Sequence, residues 1–262
     1  MANTGADYRQ TMTKFFRQII RFVRLIMLLL HAVLKTIIFK HQVKAGIPEQ
    51  VYFARARLFM EKMCKIIGLE LVVEGELSDH QTGLLVANHV SWMDIPVVGS
   101  VIPSLFLSKA EVRKWPLIGW IASKNGTLFI ARGKQGAASQ AKTDLTYALN
   151  NNVNVLLFPE GTTNDGTYLR NFHPRLYAAA IESERPVIPV TIRYEAVNGS
   201  LHEDVPFINE VTFISNLWQV LGNDKVIVKV HVLDPIPSTN TARKALAADS
   251  REAVHKALQL GS

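Results

Sequence analysis

The chain of 262 residues is 48% hydrophobic and 19% charged, which excludes an intrinsically disordered protein and is enough for one large α/β domain with an appendage. Its single cysteine excludes an intramolecular disulfide and fits a reducing compartment. The net charge of +7 indicates a polyanionic partner, and because many basic residues flank the apolar N-terminal segments, an anionic membrane surface is favoured over nucleic acid.

The N-terminal segment, residues 15–39, is strongly apolar but carries regularly spaced cations. Five basic side chains recur at steps of 4, 3, 7 and 4 and would share one stripe of a helix: Arg17, Arg21, Arg24, His31 and Lys35. A basic stripe on an apolar helix is typical of a helix that lies in the membrane interface, with its cations toward the headgroups. A second predicted helix, from about Pro48 to Ile67, would fold back beside the first as a helical hairpin.

Other interpretations of this segment remain open. A transmembrane helix needs about 20 apolar residues, whereas Arg24 and Lys35 bracket only ten positions. A helix packed on the domain, with its cations in water, is the second alternative. A cleaved secretory signal is disfavoured because the apolar stretch meets Lys35 without a small-residue cleavage site. We therefore expect an interfacial membrane helix.

From about Leu69, short apolar runs alternate with helical stretches. Seven runs are predicted strands: Leu71–Val73, Gly83–Ala87, Ser104–Leu107, Thr127–Ala131, Val153–Phe158, Val187–Tyr194 and Val226–Val232. Four stretches are predicted helices: Glu111–Ser123, Gln135–Asn150, Pro174–Glu184 and Thr241–Leu258. This alternation predicts an α/β fold with a mixed, mostly parallel sheet flanked by helices. In such sheets functional residues gather at the carboxyl ends of strands, where His89, Arg132 and Glu160 are expected.

The segment after the strand Gly83–Ala87 carries a histidine and an aspartate five positions apart. His89 can accept a proton near neutral pH, and Asp94 can hydrogen-bond the other ring nitrogen and fix its tautomer. The pattern therefore indicates a general base with an orienting carboxylate. One alternative is a helix cap, in which Asn88 or Ser91 begins a helix. A metal site is disfavoured because no cluster of Cys or His accompanies the pair.

No nucleophile accompanies this pair in the sequence. The chain contains no Gly-x-Ser-x-Gly elbow, and Cys64 lies in a helical, basic segment far from the motif. A hydrolase is therefore disfavoured. A base and an orienting group without an enzyme nucleophile indicate that a hydroxyl group of the substrate attacks.

Two cations follow predicted strands. Arg132 ends the segment Gly126–Arg132 and is suited to bind a phosphate through two hydrogen bonds, although an ordinary surface arginine is the alternative. Lys109 follows the strand Ser104–Leu107 and precedes an aromatic-rich stretch. A cation in this position can meet a lipid headgroup, while core packing accounts equally well for the aromatic residues.

The segment Phe158–Thr163 combines an acid, a glycine and hydroxyl groups at the end of a predicted strand. Gly161 allows close backbone approach, Thr162 offers a hydroxyl donor, and Glu160 can accept from a substrate hydroxyl or pair with Arg132. The alternative is a strand-to-loop turn with a solvated acid, and the two interpretations are compatible.

In this order, the motifs resemble the conserved blocks of the glycerolipid acyltransferase superfamily, which contains the bacterial 1-acyl-glycerol-3-phosphate acyltransferases. The resemblance spans roughly residues 70–195, and its blocks are Asn88–Asp94, Gly126–Arg132, Phe158–Thr162 and Val187–Pro189. It implies that His89 deprotonates the free hydroxyl of an acceptor, which attacks the thioester of acyl-CoA or acyl-carrier protein. Asp94 would orient His89.

The same resemblance implies a site for the acceptor headgroup, typically a phosphate. The resemblance implies Arg132, Glu160 and Gly161 as binding residues, and Thr162, Lys109 and Gly126 complete the candidate substrate-binding set. The implied reaction converts lysophosphatidic acid to phosphatidic acid and needs no cofactor. The implied partners are membrane lipids and acyl-CoA or acyl-carrier protein, and not nucleic acid.

The resemblance also implies how the chain is organised. We expect residues 1–68 to form membrane-associating helices and residues 69–262 to form the catalytic domain. The expected location is the cytoplasmic face of the inner membrane, with the protein monotopic or spanning the membrane once.

One residue departs from the pattern of phosphate-accepting relatives. Many of them carry Arg after the Glu-Gly-Thr run, whereas this chain has Thr163. The form found here also resembles the bacterial acyltransferases that acylate lyso-ornithine lipid, an acceptor without phosphate, so this lipid or another lysophospholipid is the alternative acceptor. A non-catalytic lipid-binding protein is an alternative of a different class, and the intact His89, Asp94, Arg132 and Glu160 argue against it.

Overall fold

A computed structural model describes residues 4–43, 49–77, 81–115, 117–124, 127–131, 133 and 135–260. Two long helices, α1 (Thr4–Val43) and α2 (Glu49–Ile67), precede the sheet. The strands are β1 (Leu69–Glu74), β2 (Leu84–Ala87), β3 (Leu105–Lys109), β4 (Leu128–Ile130), β5 (Val155–Leu157), β6 (Val187–Glu195) and β7 (Val226–Val232). The other α-helices are α3 (Asp94–Val101), α4 (Ile118–Lys124), α5 (Ala137–Asn150), α6 (Ala178–Glu182), α7 (Phe213–Gly222) and α8 (Arg243–Leu258).

The strands of the described chain form one sheet in the order β1-β7-β6-β2-β5-β3-β4. Neighbouring strands are parallel except β6 and β7, which are antiparallel. The predicted α/β fold with a mixed, mostly parallel sheet is confirmed. The central strands β2 and β5 are buried along their whole length, as expected for strands that are covered on both faces.

The core lies in two layers, one on each face of the sheet. Alternate residues of β2 belong to different layers, because successive side chains of a strand point to opposite faces. Leu85 and Ala87 pack with apolar residues of α2, α3 and α7, whereas Leu84 and Val86 pack with those of α5, α6 and α8. The carboxyl ends of the parallel strands are therefore held rigidly between two layers of helices.

Several predicted helices differ from the helices observed. The predicted helix Glu111–Ser123 is divided into a 3₁₀ helix, Ala110–Lys114, and α4. Trp115, which precedes a proline in the sequence, is extended between them, as residues before proline commonly are. The predicted helix Pro174–Glu184 is likewise divided into a 3₁₀ helix, Pro174–Tyr177, and α6.

The helices α3 and α7 were not predicted. Helix α3 is short and buried on most of its surface, so its sequence presents no clear helical period. Helix α7 has a clear helical period over its ten residues, and the sequence reasoning missed it.

The N-terminal helix α1 packs against α2, α4 and α7. Arg17 donates to the carbonyl of Gly222 at 2.9 Å, and Arg21 donates to the carbonyls of Leu221 and Asn223 at 3.2 and 2.5 Å. These carbonyls lie at the C-terminal end of α7, where the helix leaves acceptors unpaired and carries a partial negative charge. The expectation that the whole basic stripe faces the headgroups is wrong for these two arginines, because the end of α7 attracts them.

The outer face of α1 is apolar instead. Ten large apolar side chains are exposed along it: Phe15, Phe16, Ile19, Ile20, Val23, Met27, Leu30, Leu34, Ile37 and Ile38. Arg24, His31 and Lys35 are also exposed. Among the described residues, no helix combines the length and the apolar character that crossing a bilayer requires. The predicted helix start at Pro48 lies outside the described residues.

Candidate active site

His89 follows β2 in a loop that is fastened to β6. The side chain of the buried Asn88 accepts from the backbone N–H of Ile192 and donates to its carbonyl, each at 2.8 Å. The side-chain amide of Asn88 therefore continues the hydrogen bonding between β2 and β6 beyond the end of β2. His89 consequently leaves the sheet at the carboxyl edge in a fixed position.

The imidazole of His89 is paired with a fully buried carboxylate. His89 Nδ1 lies 2.8 Å from Asp94 Oδ2, which also accepts from the backbone N–H groups of Val90 and Ser91 at 2.8 and 3.0 Å. The other oxygen, Oδ1, accepts from the hydroxyl of Tyr194 at 2.7 Å. These donors replace the water that a buried carboxylate has lost. With Nδ1–H donating to Asp94, Nε2 of His89 is left as a proton acceptor.

The helix-cap alternative does not describe this loop. Helix α3 begins at Asp94, and Met93 occupies its N-cap position without a side-chain hydrogen bond. Asn88 is bound to β6, and the buried hydroxyl of Ser91 has no hydrogen-bond partner within the described chain. The polar residues of the loop are therefore used to place Asp94 and His89, not to begin a helix.

The plane of the imidazole is fixed by an aromatic contact. The rings of His89 and Phe158 stack with centroids 4.0 Å apart and an interplanar angle of 12°. Phe158 follows β5, the parallel neighbour of β2. The His89 side chain keeps 19% of its surface exposed, so one edge of the ring remains open to the cavity described below.

Glu160 connects the loop after β5 to the histidine loop. Its Oε1 accepts from the backbone N–H of His89 at 2.7 Å. Its Oε2 accepts from the side-chain amide of Asn164 at 2.6 Å and from the backbone N–H of Arg170 at 2.9 Å. Burial raises the pKa of Glu160, and these hydrogen bonds oppose that increase. The next residue, Gly161, has a φ of 77°, a left-handed conformation that glycine adopts without strain.

A long connection after β6 supports both loops from outside. Phe207 donates its backbone N–H to the carbonyl of Val90 at 2.9 Å, and its carbonyl accepts from the hydroxyl of Thr163. Asn216 on α7 accepts from the indole N–H of Trp92 at 2.8 Å. The loops that carry His89 and Glu160 are thus tied to each other and to a third segment.

An open cavity of about 2060 Å³ reaches this edge of the sheet. Much of its wall is apolar and comes from α1, α2, α4 and α7, including Leu25, Leu29, Met63, Ile121 and Leu217. Exposed basic side chains from several elements also line it: His31, Lys35, Arg55, Lys62, Lys109 and Arg175. A large apolar cavity that ends on a few polar groups fits an amphipathic ligand.

The structure brings most of the predicted site residues to this cavity. His89, Lys109, Glu160, Gly161 and Thr162 all line it, and Asp94 lies behind His89. Gly126 and Arg132 lie outside the described residues.

Sequence reasoning missed three contributors to the site: the hydroxyl of Tyr194, the ring of Phe158 and the amide of Asn164. Tyr194 offered one signal, because a tyrosine that ends a buried apolar strand needs a partner for its hydroxyl. The contacts of the other two depend on loop geometry that the sequence pattern does not reveal.

Comparisons with known proteins show a sequence family and a related fold. The sequence profile of a family described as Acyltransferase matches residues 69–193. A lyso-ornithine lipid O-acyltransferase from Pseudomonas aeruginosa is 44% identical over 202 residues, which cover 77% of this chain and 77% of the relative. A 1-acyl-sn-glycerol-3-phosphate acyltransferase from Neisseria gonorrhoeae is 34% identical over 165 residues, covering 63% of this chain and 64% of that protein.

A solved structure shares the fold. The crystal structure of the 1-acyl-sn-glycerophosphate (LPA) acyltransferase PlsC from Thermotoga maritima superposes with a TM-score of 0.69 at 18% sequence identity. The superposition covers 97% of this chain and 96% of that chain. At this level of identity the likeness concerns the fold alone.

Proposed function

The chain belongs to the acyltransferase family, and from this premise we propose that it transfers a fatty acyl group to the free hydroxyl of lyso-ornithine lipid at a membrane surface. Both acyl-CoA and acyl-carrier protein are donors compatible with its basic charge. The observation that carries the choice of acceptor is Thr163. Its hydroxyl donates to the carbonyl of Phe207, so this position offers a neutral, already bonded group where many phosphate-accepting relatives carry arginine.

In the proposed mechanism, His89 is the general base. Nε2 takes the proton of the acceptor hydroxyl while the hydroxyl oxygen bonds to the thioester carbonyl carbon. The carbon–sulfur bond then breaks, and the departing thiolate takes the proton from the imidazolium. Asp94 holds the ring through Nδ1 and stabilises the imidazolium between these two steps. The products are an ester and a free thiol, so no cofactor is required.

We assign Glu160 a positioning role in this mechanism. Both of its oxygens already accept hydrogen bonds from the protein, and one of the donors is the backbone of His89. This pattern supports a role for Glu160 in holding the loop that carries His89, in preference to direct contact with the acceptor. Headgroup binding is then proposed for Lys109, Thr162 and Gly161, which line the cavity, together with Arg132 and Gly126.

We further propose that residues 1–68 attach the enzyme to the cytoplasmic face of the inner membrane and that residues 69–262 form the catalytic domain. The exposed apolar face of α1 supports this arrangement, because apolar area of this extent on a helix is favourable in a bilayer interface. Exposed cations on the same helix, Arg24 and Lys35, are suited to anionic headgroups. A lipid acceptor would then reach His89 through the apolar cavity between α1 and the sheet edge.

Lysophosphatidic acid is the second candidate acceptor. The relative from Neisseria gonorrhoeae, named for a phosphate-bearing acceptor, supports it, and so does the exposed Lys109 on the cavity wall. With this acceptor the proposed chemistry at His89 is unchanged, and the product is phosphatidic acid. The two candidates therefore differ only in what binds the headgroup.

A competition assay separates them. The purified protein is given labelled acyl-CoA or acyl-carrier protein with equal amounts of lyso-ornithine lipid, lysophosphatidic acid and another lysophospholipid in mixed micelles, and the products are resolved by mass. We expect acylated ornithine lipid as the main product. Labelled phosphatidic acid as the main product would instead select the second candidate.

The variant Thr163→Arg tests the residue on which the choice depends. We expect it to shift acylation toward lysophosphatidic acid by about tenfold, the effect of one partly desolvated charge pair. Thr143→Arg adds the same charge at an exposed position of α5 and is the control. An equal shift in both variants would mean that net charge, and not position 163, selects the acceptor.

A further inference from the structure

Tyr194 contacts the catalytic pair from behind. This residue lies near the end of β6, is 2% exposed, and donates its hydroxyl to Asp94 Oδ1 at 2.7 Å. Within the described chain it is the one donor to Oδ1, whereas Oδ2 accepts from His89 and from two backbone N–H groups. The phenol is therefore the donor to the oxygen of Asp94 that does not contact His89.

The surroundings keep this hydroxyl protonated. Burial, together with the charge of Asp94 on α3 and the hydrogen bond to it, raises the pKa of Tyr194 well above its ordinary value, and the neighbouring Cys64 on α2 is a buried thiol whose pKa is raised to about 12. On β7 the residue paired with Tyr194 is the uncharged Val228. His202 donates its backbone N–H to the carbonyl of Tyr194 at 3.0 Å, and burial lowers the pKa of the His202 side chain, which favours its neutral form. The phenol is thus a hydrogen-bond donor throughout the pH range in which histidine titrates.

We propose that Tyr194 is a positioning residue that sets, through Asp94, the pH range in which His89 is a free base. A donor on Oδ1 draws electron density from the carboxylate, which then attracts the imidazole proton less strongly. The same bond fixes the rotation of the carboxylate, so that Oδ2 stays aligned with His89 Nδ1. This inference rests on the proposed role of His89 as the general base.

Tyr194→Phe removes the donor and keeps the ring. In protein labelled with [¹⁵N]histidine, the titration of the His89 ring is followed by NMR and assigned by its absence in His89→Ala. We expect its midpoint to rise by about half a pH unit to one unit in Tyr194→Phe, a threefold to tenfold change in the protonation equilibrium. The acidic limb of the kcat/KM profile should move by the same amount in the same direction.

Tyr177→Phe is the matched control. Tyr177 is also fully buried, and its hydroxyl is bonded to that of Ser250 at 2.8 Å in the other core layer. This variant also loses one buried hydrogen bond, so the general cost in stability is comparable. The His89 midpoint should stay at the wild-type value.

A second replacement tests the sign of the effect without loss of the bond. Incorporation of 3-fluorotyrosine at position 194 provides a more acidic phenol, which is a stronger donor, so the His89 midpoint should fall. Unchanged midpoints with both replacements would overturn the proposal, and the fluorinated protein decides the question alone if Tyr194→Phe fails to fold. Because the NMR titration needs no substrate, it is independent of turnover. Full activity in His89→Ala would overturn the general-base assignment without altering what the midpoint reports about Tyr194.

Discussion

At the carboxyl end of β2, a buried carboxylate has four hydrogen-bond donors within 3.0 Å, whereas the outer face of α1 exposes ten large apolar side chains. The geometry of the first region depends on directional hydrogen bonds, and the loss of any one of them costs free energy. The proposed membrane binding of the second region depends on apolar area. The free energy of burying that area is roughly proportional to its extent and has no preferred direction. Single-atom changes should therefore matter at the sheet edge, and changes of area or charge should matter on α1.

The largest effect should follow from His89→Ala. Removal of a general base costs about 10²–10⁴-fold in turnover, while membrane attachment should be unchanged because α1 is untouched. Steady-state kinetics and vesicle flotation measure the two properties on one preparation. A variant that retains the wild-type rate would show that the base lies elsewhere, and the hydrogen bonds at the end of β2 would then not serve catalysis through His89.

The second effect concerns α1. Ile20→Glu with Met27→Glu places two charges on the apolar face, where each original side chain is more than half exposed. Losing insertion of these side chains should cost about 1–2 kcal/mol each, or roughly a hundredfold in partitioning into anionic vesicles. Flotation measures this partitioning.

Val197→Glu is the control for α1, because Val197 is 75% exposed in a turn after β6. This single charge should leave vesicle binding near the wild-type level. Equal losses in the control and the double variant would mean that α1 is not a preferred contact with the bilayer. The acyl-transfer rate on a water-soluble acceptor should be nearly the same in all three proteins.

A smaller effect is expected for Glu160→Gln. An amide supplies one acceptor where the carboxylate supplies two, so a donor to Glu160 is left unpaired at a cost of about 1–3 kcal/mol in the free energy of unfolding. The pH dependence follows from the raised pKa of Glu160 in the folded protein. A raised folded pKa favours the native state at low pH, and this contribution is lost as pH rises through that value. The free energy of unfolding of the wild type should therefore increase relative to that of the variant as pH falls from 7 toward 5.

Urea unfolding at both pH values measures this difference. Asp144→Asn, at a carboxylate on α5 bonded to the exposed Gln140, provides the control and should show little change at either pH. A stability gap that narrows toward pH 5 would contradict the burial of Glu160 as the main influence on its proton affinity.

The smallest effect should come from Arg21→Met. Loss of the hydrogen bonds to the end of α7 should cost about 1 kcal/mol, since water partly replaces the arginine at those carbonyls. Thermal unfolding measures the loss, and Arg24→Met at an exposed position of the same helix is the control. A larger loss in the control would mean that the outer cations, and not those facing α7, hold α1 in place.

The sequence revealed most where the physical signal is local. Each of the seven strands contains a short apolar run that the sequence shows, and His89 with Asp94 stands directly after one of them. Other features depend on distant partners. Tyr194 meets Asp94 across 100 residues of chain, and Arg21 meets the end of α7 across about 200. A periodic pattern indicates which residues share a face of a helix. Whether that face is buried depends on the element that packs against it, here the end of α7 against α1.

Helix α3 escaped prediction for the same reason. Helix α3 contains Pro96 and Gly99 and is buried on most of its surface, so no polar side marks its period. Its place is determined by close packing: a Cβ at Gly99 would lie 2.8 Å from the ring of Phe106. Such contacts arise from the assembled sheet and its helices.

The docking of α1 on the end of α7 also has a consequence for the order of synthesis. Arg17 and Arg21 leave the ribosome more than 200 residues before Gly222 and Asp224, which they bind in the finished protein. At about 5–20 residues per second, α1 waits roughly 10–40 s for these partners. In the proposed membrane attachment, the apolar face of α1 would be free to bind a bilayer during that time. The helix would then reach the membrane first, and residues 69–262 would fold against a helix that is already in place.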